Sequence, residues 1–278
     1  MEQQKIRLVA LDLDGTLLTT DKRLSEENYN ALQEAADRGI EIVPASGRIY
    51  RVMPKVIRDL PFVHYAIGIN GAQVYDVVND RMIYKAEIDP DRALEIIRFY
   101  GDYPLAYNAY VDNQAYMSET LWKELPKHIK DPIFLDLIMR ITDPVDDLET
   151  YLEEVWKPSQ KINAYTSDAA LKEMVMKEIR VRFPEILVSA GHVQNIELNA
   201  PGASKGEALK HLAAHLHIPL AETAALGDGL NDISMLKAAG TSAAMGNALR
   251  EAKDAADFIT DTNDNDGVAK ALYRLNII

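Results

Sequence analysis

Three apolar runs near the start of the chain, residues 6–11, 40–45 and 65–69, are separated by two stretches with helical patterning, 25–38 and 52–60. An apolar run without polar alternation suits a strand buried on both faces, and such strands spaced by helices belong to a parallel sheet covered by helices. The first helix carries its own punctuation, with Ser25 as N-cap, Glu26 and Glu27 in the first turn and Gly39 as the stop. After Asn70-Gly71 the rhythm changes, and AQVYDVV and RMIYKAEI on either side of Asn79-Asp80 read as a hairpin.

From residue 90 to 193 the pattern is irregular, with strands expected at 106–111, 161–165 and 186–189 and a helix at 168–183. The run PIFLDLIMRIT, ending at Thr142, is apolar without a clean period and is left unassigned. At Lys205 the α/β rhythm resumes, with helices at 205–216, 232–239, 248–255 and from Gly267 onward, and strands at 223–226, 242–245 and 258–259. The expected architecture is therefore α/β: a Rossmann-like parallel-sheet core in two parts, 1–82 and 193–278, interrupted by an inserted α+β domain at 83–192.

The 278 residues carry no cysteine, which removes disulfides, thiolate catalysis and cysteine-ligated metals from consideration. A net charge of −13 speaks against a nucleic-acid partner, which requires a basic face. No stretch reaches the roughly 18 apolar residues of a membrane span, and the opening MEQQKIRLVALD lacks a signal-peptide layout; a cytoplasmic protein is expected.

In open α/β sheets the ligand sits beyond the carboxyl ends of the strands, so the residues following each strand are the ones to collect. The first strand delivers Asp12 and Asp14, the second Ser46, Gly47 and Arg48 of PASGR, and the third Asn70 and Gly71 of INGA. After the insert, Lys205 opens a helix and GDGLND delivers Asp228, Asn231 and Asp232. Several carboxylates in one partly dry site are tolerable only with protons or a bound cation, and an all-oxygen donor set suits Mg²⁺ completed by a substrate phosphate. A phosphate ligand also accounts for the hydroxyl, the glycine amides, the lysine and the asparagine. In extended backbone, Asp12 and Asp14 across one residue point the same way, which suits attack by one and leaving-group service by the other.

DLDGTL, PASGR, the lysine of GASKGEAL, and GDGLND followed by AMGNA resemble, in order and spacing, the four signature motifs of the haloacid dehalogenase (HAD) superfamily. Within it the chain is similar to the Cof-type sugar phosphatases of subfamily IIB, whose cap is of type C2B; INGA and DGVAKAL also look typical of that group. The resemblance implies that Asp12 attacks phosphorus and that Asp14 protonates the leaving oxygen and then activates water. It implies Mg²⁺ held by Asp12, the Asp14 carbonyl and Asp228. Phosphoryl oxygens would be held by Ser46, Gly47, Lys205, Asn231 and the Leu13 amide. Asp232 would support that shell or add a metal contact, with Arg48 and Asn70 behind it. The inserted domain would be a mobile cap that closes over the leaving group and selects the substrate.

Plainer readings exist for single residues. Lys205 alone is compatible with a solvated first-turn lysine, Arg48 and Asn70 with structural pairing, and the DGT string with a turn. His211 and His215 stand four apart on a helix without the glutamate of a zinc motif, so packing is the simpler account. The tyrosines of YPLAYNAYVDNQAY, ending at Tyr116, read foremost as a packed sheet face. The expectation is a Mg²⁺-dependent phosphatase for small phosphorylated metabolites, sugar phosphates first, as monomer or homodimer. A phosphomutase of the same superfamily, or a non-catalytic binder of phosphometabolites, is the alternative.

Overall fold

The structure, a computed structural model, describes residues 5–278; the start of the chain, Met1–Gln4, lies outside the described residues. The chain divides into two compact units, one built from residues up to Lys85 together with Gly202–Ile278, the other from Ala86–Pro201. The first unit holds an eight-stranded sheet in the spatial order Phe258–Ile259, Thr241–Ala244, Thr223–Gly227, Leu8–Asp12, Glu41–Ala45, Tyr65–Gly68, Gln73–Asp76, Arg81–Lys85. The first six run parallel and the last two form the antiparallel hairpin.

Leu8–Asp12 lies between Thr223–Gly227 and Glu41–Ala45, with Leu11 opposite Leu226 and Asp12 opposite Ala45. All five of its residues are buried, which is why the run could afford no polar alternation. Helix Glu26–Asp37 begins at the expected N-cap, the Ser25 side chain accepting from the Asn28 amide. The stretch 52–60, expected as one helix, holds a 3-10 turn at Tyr50–Val52 and a single helical turn at Lys55–Arg58 instead. Pro54 separates them because it cannot supply an interior helix amide.

The second unit carries a six-stranded mixed sheet in the order Leu187–Ser189, Asn195–Asn199, Lys161–Tyr165, Ala106–Val111, Gln114–Ser118, Thr142–Val145. Its limits differ from the expected 83–192 because Asn195–Asn199 pairs with Lys161–Tyr165 and so belongs to the insert. The unassigned PIFLDLIMRIT forms helix Pro132–Ile141, capped by Asp131, whose side chain accepts from the amides of Ile133 and Phe134. The tyrosine-rich stretch is a hairpin turning at Asp112-Asn113, both at positive φ. Within it Tyr110 is buried and Tyr107 packs on Tyr100. Among the described residues no helix is long and apolar enough to cross a membrane.

Candidate active site

Every strand-end residue collected from the sequence falls in the first unit, at the carboxyl ends of neighbouring parallel strands. Asp12 closes its strand, and the chain then turns sharply: the amides of Leu17 and Leu18 donate to the carbonyls of Asp12 and Leu13 at 3.2 and 2.9 Å. Leu13 is buried and already lies in this turn, so the extended spacing expected between the two aspartates does not set their directions. Cations do. Asp12 goes to Lys205, and Asp14 to Lys22 and Arg48.

Lys205 is fully buried, and its Nζ donates to Asp12 Oδ1 at 2.5 Å and to Asp232 Oδ1 at 2.6 Å. A lysine in a first helical turn faces the positive end of the helix dipole, a placement that needs anions in front of it, and here two carboxylates supply them. Charge from these partners holds the ammonium above its ordinary pKa against the burial that would lower it. The solvated alternative for Lys205 is thereby excluded.

The other oxygen of Asp232 accepts from the amides of Asp228 and Gly229 at 2.9 and 2.8 Å. Both of its oxygens thus have donors, so Asp232 serves as the partner that orients Lys205 and the GDGLND loop. Asp228 accepts from Thr16 Oγ1 at 2.9 Å. Burial, with Asp232 beside each, pushes the carboxyls of Asp12 and Asp228 above the ordinary range. Gly15 explains its own identity: its φ is +90°, and a Cβ there would stand 2.4 Å from Asp228 Oδ2.

The remaining residues frame this centre. Ser46 is buried and its Oγ accepts from the Arg48 amide at 3.3 Å. The PASGR and INGA loops are tied together through the Ile69 amide on the Arg48 carbonyl and the Asn70 amide on the Ser46 carbonyl, both 3.0 Å. Asn231 donates to Asn70 Oδ1 at 3.2 Å, which brings the GDGLND and INGA loops into contact. A Cβ on Gly47 would come within 2.9 Å of that same Asn70 oxygen.

Three residues of this neighbourhood escaped the sequence reading. Thr16 sits in DLDGTL and holds Asp228, a role its neighbour Gly15 could have signalled. Asn247, of AMGNA, donates to the Gly15 carbonyl at 2.8 Å and accepts from the Asn263 amide. Lys22 bears no sequence signal, since a lysine in a polar turn is ordinary. The histidines lie elsewhere: His211 stacks on Tyr84 with ring centroids 3.9 Å apart, and His215 meets the edge of Tyr65.

Asp12, Asp228 and Asp232 each offer a carboxylate oxygen within 4.8 Å of the others. With Asp232 engaged by three donors, the buried Asp12 and the half-buried Asp228 are the pair whose mutual repulsion a divalent cation would relieve. Hard oxygen donors and raised carboxyl pKa values fit Mg²⁺.

A family model described as haloacid dehalogenase-like hydrolase matches residues 9–272. The phosphatase YwpJ of Bacillus subtilis (strain 168) is 33% identical over 294 aligned residues, covering 97% of this chain and 100% of that one. The 5-amino-6-(5-phospho-D-ribitylamino)uracil phosphatase YcsE of the same organism is 32% identical over 272 residues, covering 98% and 96%. Among solved structures, a haloacid dehalogenase-like hydrolase from Bacteroides thetaiotaomicron superimposes with a TM-score of 0.82 at 29% identity, covering 98% of this chain and 100% of that one. A HAD subclass IIB sugar phosphatase does so with a TM-score of 0.81 at 25% identity, covering 98% and 100%.

Proposed function

The chain belongs to the haloacid dehalogenase-like hydrolase family and is a phosphoric monoester hydrolase, and from that premise we propose that it hydrolyses small phosphorylated metabolites, sugar phosphates foremost, through an aspartyl-phosphate on Asp12. The observation that carries the reading is the buried Lys205, pinned between Asp12 and Asp232 at the end of a fully buried strand. Such a lysine supplies positive charge where a phosphoryl group would meet the nucleophile.

In the first step an Asp12 carboxylate oxygen forms a bond to phosphorus while the bond to the leaving oxygen breaks, and Asp14 gives that oxygen its proton. In the second, Asp14 takes a proton from water, whose oxygen bonds to phosphorus as the bond to Asp12 breaks. Free phosphate leaves and both aspartates return to their starting states. Ser46, Gly47, Asn231 and the Leu13 amide surround the phosphoryl oxygens, while Arg48 and Asn70 hold the loops that carry them. Asp12, Asp228 and the Asp14 carbonyl would hold Mg²⁺, which when bound neutralises charge on the phosphoryl group and helps fix its orientation. A cytoplasmic setting belongs to the same proposal.

The test is phosphate release from a panel of sugar phosphates, nucleotides and para-nitrophenyl phosphate, with Mg²⁺ and with chelator, for the parent and Asp12→Asn. Metal-dependent release is expected, and Asp12→Asn should fall by at least about a thousandfold, as loss of a nucleophile does. Isomerised sugar phosphate without net phosphate release would move the assignment to a phosphomutase. Turnover undiminished in Asp12→Asn would end the site assignment.

A further inference from the structure

Asp14 is gripped twice. Its Oδ2 accepts from an Arg48 guanidinium nitrogen at 2.7 Å and its Oδ1 from Lys22 Nζ at 2.8 Å. The two cations come from different loops, Arg48 from PASGR and Lys22 from the turn that follows the first strand. That turn is itself braced: the Thr19 amide donates to the Arg23 carbonyl at 2.9 Å and the Lys22 amide to the Thr19 carbonyl at 2.8 Å. Thr20 is tied through its amide and hydroxyl to both oxygens of Asp264, at 2.8 and 2.7 Å. Lys22 sits there at a φ of 59°, a backbone conformation a lysine adopts at a cost and the surrounding bonds enforce.

The terminal torsion of an aspartate is soft, and one hydrogen bond leaves the carboxylate plane free to swing. Two donors on opposite oxygens fix that plane. The pair is also too open to be justified by stability: the side chains of Lys22 and Asp14 are 58% and 34% exposed, and ion pairs of that kind contribute little to folding. Asp14 and Lys22 both face a cavity of about 410 Å³ whose other walls include Thr20, Asn247 and Asp264.

We propose that Lys22 is a positioning residue for the reaction, fixing with Arg48 the plane of the Asp14 carboxyl so that it meets the leaving-group oxygen. This rests on the acid–base reading of Asp14 given above. The role is selective: an alkyl leaving group needs its proton from Asp14, whereas nitrophenolate leaves with little help.

The experiment compares the parent, Lys22→Met, Lys22→Arg, Asp14→Asn and the Lys22→Met/Asp14→Asn double variant. The substrates are the most rapidly hydrolysed alkyl phosphate of the panel, at steady state, and para-nitrophenyl phosphate, in the first turnover. Asp14→Asn is expected to lose about a hundredfold or more on the alkyl phosphate and far less in the nitrophenolate burst. Lys22→Met should lose about tenfold in kcat on the alkyl phosphate with KM within about twofold, and under about threefold in the burst, as a misaimed acid would. Lys22→Arg should recover most of the loss, and Lys22→Met should add nothing in the Asp14→Asn background.

A Lys22→Met loss that persists without Asp14, or that falls on KM alone, would make Lys22 a direct substrate contact and overturn the proposal. So would parent-like kinetics in Lys22→Met beside a selective loss in Asp14→Asn. Absence of any leaving-group dependence in Asp14→Asn would overturn the reading of Asp14 and the role of Lys22 with it, a failure seen without touching Lys22. Thermal melting within about 2 °C of the parent is expected for each lysine variant, since an exposed pair is being removed; if Lys22→Met does not fold, Lys22→Gln takes its place in the same comparison.

Discussion

At the scale of single residues the site concentrates opposed charge where water is scarce. Asp12, Asp232 and Lys205 are each at least nine-tenths buried, and the lysine is the only cation bonded to either carboxylate among the described residues. Breaking a buried network by removing one partner strands the others. Lys205→Met is therefore expected to destabilise the protein by about 3–5 kcal/mol at neutral pH, measured by urea unfolding. The sign of its pH dependence follows from the carboxyl of Asp12. Burial already raises it, and without the lysine it rises further, so in the variant the folded state binds a proton that the unfolded state releases. Stability of the variant relative to the parent should then improve as pH falls toward the ordinary carboxylate range. A deficit that stayed constant with pH would mean that Lys205 acts through packing alone.

At the scale of elements, the helix Lys205–His215 is held in place by the INGA loop. Ile69, Asn70 and Gly71 all have positive φ, and a Cβ on Gly71 would stand 2.1 Å from the Ser204 backbone at the helix start. Gly71→Ala should thus push Ser204 and Lys205 off the Asp12 carboxylate. The expected result is an activity loss of about tenfold or more with destabilisation of about 1–3 kcal/mol, checked by kcat and by thermal melting. What the sequence made legible at this scale was whatever had a local cause. The N-cap at Ser25, the apolar strand before Asp12 and the helix opening at Lys205 are written in neighbouring residues. Helix Pro132–Ile141 had its signal too, an Asp-Pro cap and a polar stripe of Asp136 and Arg140 one turn apart, but that stripe is narrow among so many apolar residues and does not stand out as a period. The grip of Lys22 on Asp14 was not legible, because it spans a turn whose geometry depends on Thr20 meeting Asp264, 244 positions away in the chain.

At the scale of the whole molecule, one chain builds two units, and the crossing points fall at residues 85/86 and 201/202. The second crossing was the harder to read: Asn195–Asn199 looks like the prelude to the resumed α/β rhythm, yet its partner is Lys161–Tyr165, a pairing no local pattern announces. The larger unit carries a standing cost at its centre, since Asp12 is buried and Asp228 half-buried beside the buried Asp232. Burial holds the carboxyl of Asp228 above its ordinary pKa, so above the ordinary carboxylate range the folded state sacrifices stability that the unfolded chain would keep. Asp228→Asn removes the charge and retains an oxygen for the Thr16 hydroxyl. In chelator at neutral pH the variant should melt higher than the parent by about 2 °C, and that advantage should vanish as pH falls below about 3, where an aspartate of ordinary pKa, about 3.9, is protonated in the unfolded chain as well as in the fold. Mg²⁺ should reverse the order by raising the melting temperature of the parent through binding to the folded state, while leaving the variant nearly unmoved. A variant that melts lower than the parent in chelator would show that the acidic cluster is satisfied without a cation, and Asp228 would then need an account other than metal binding.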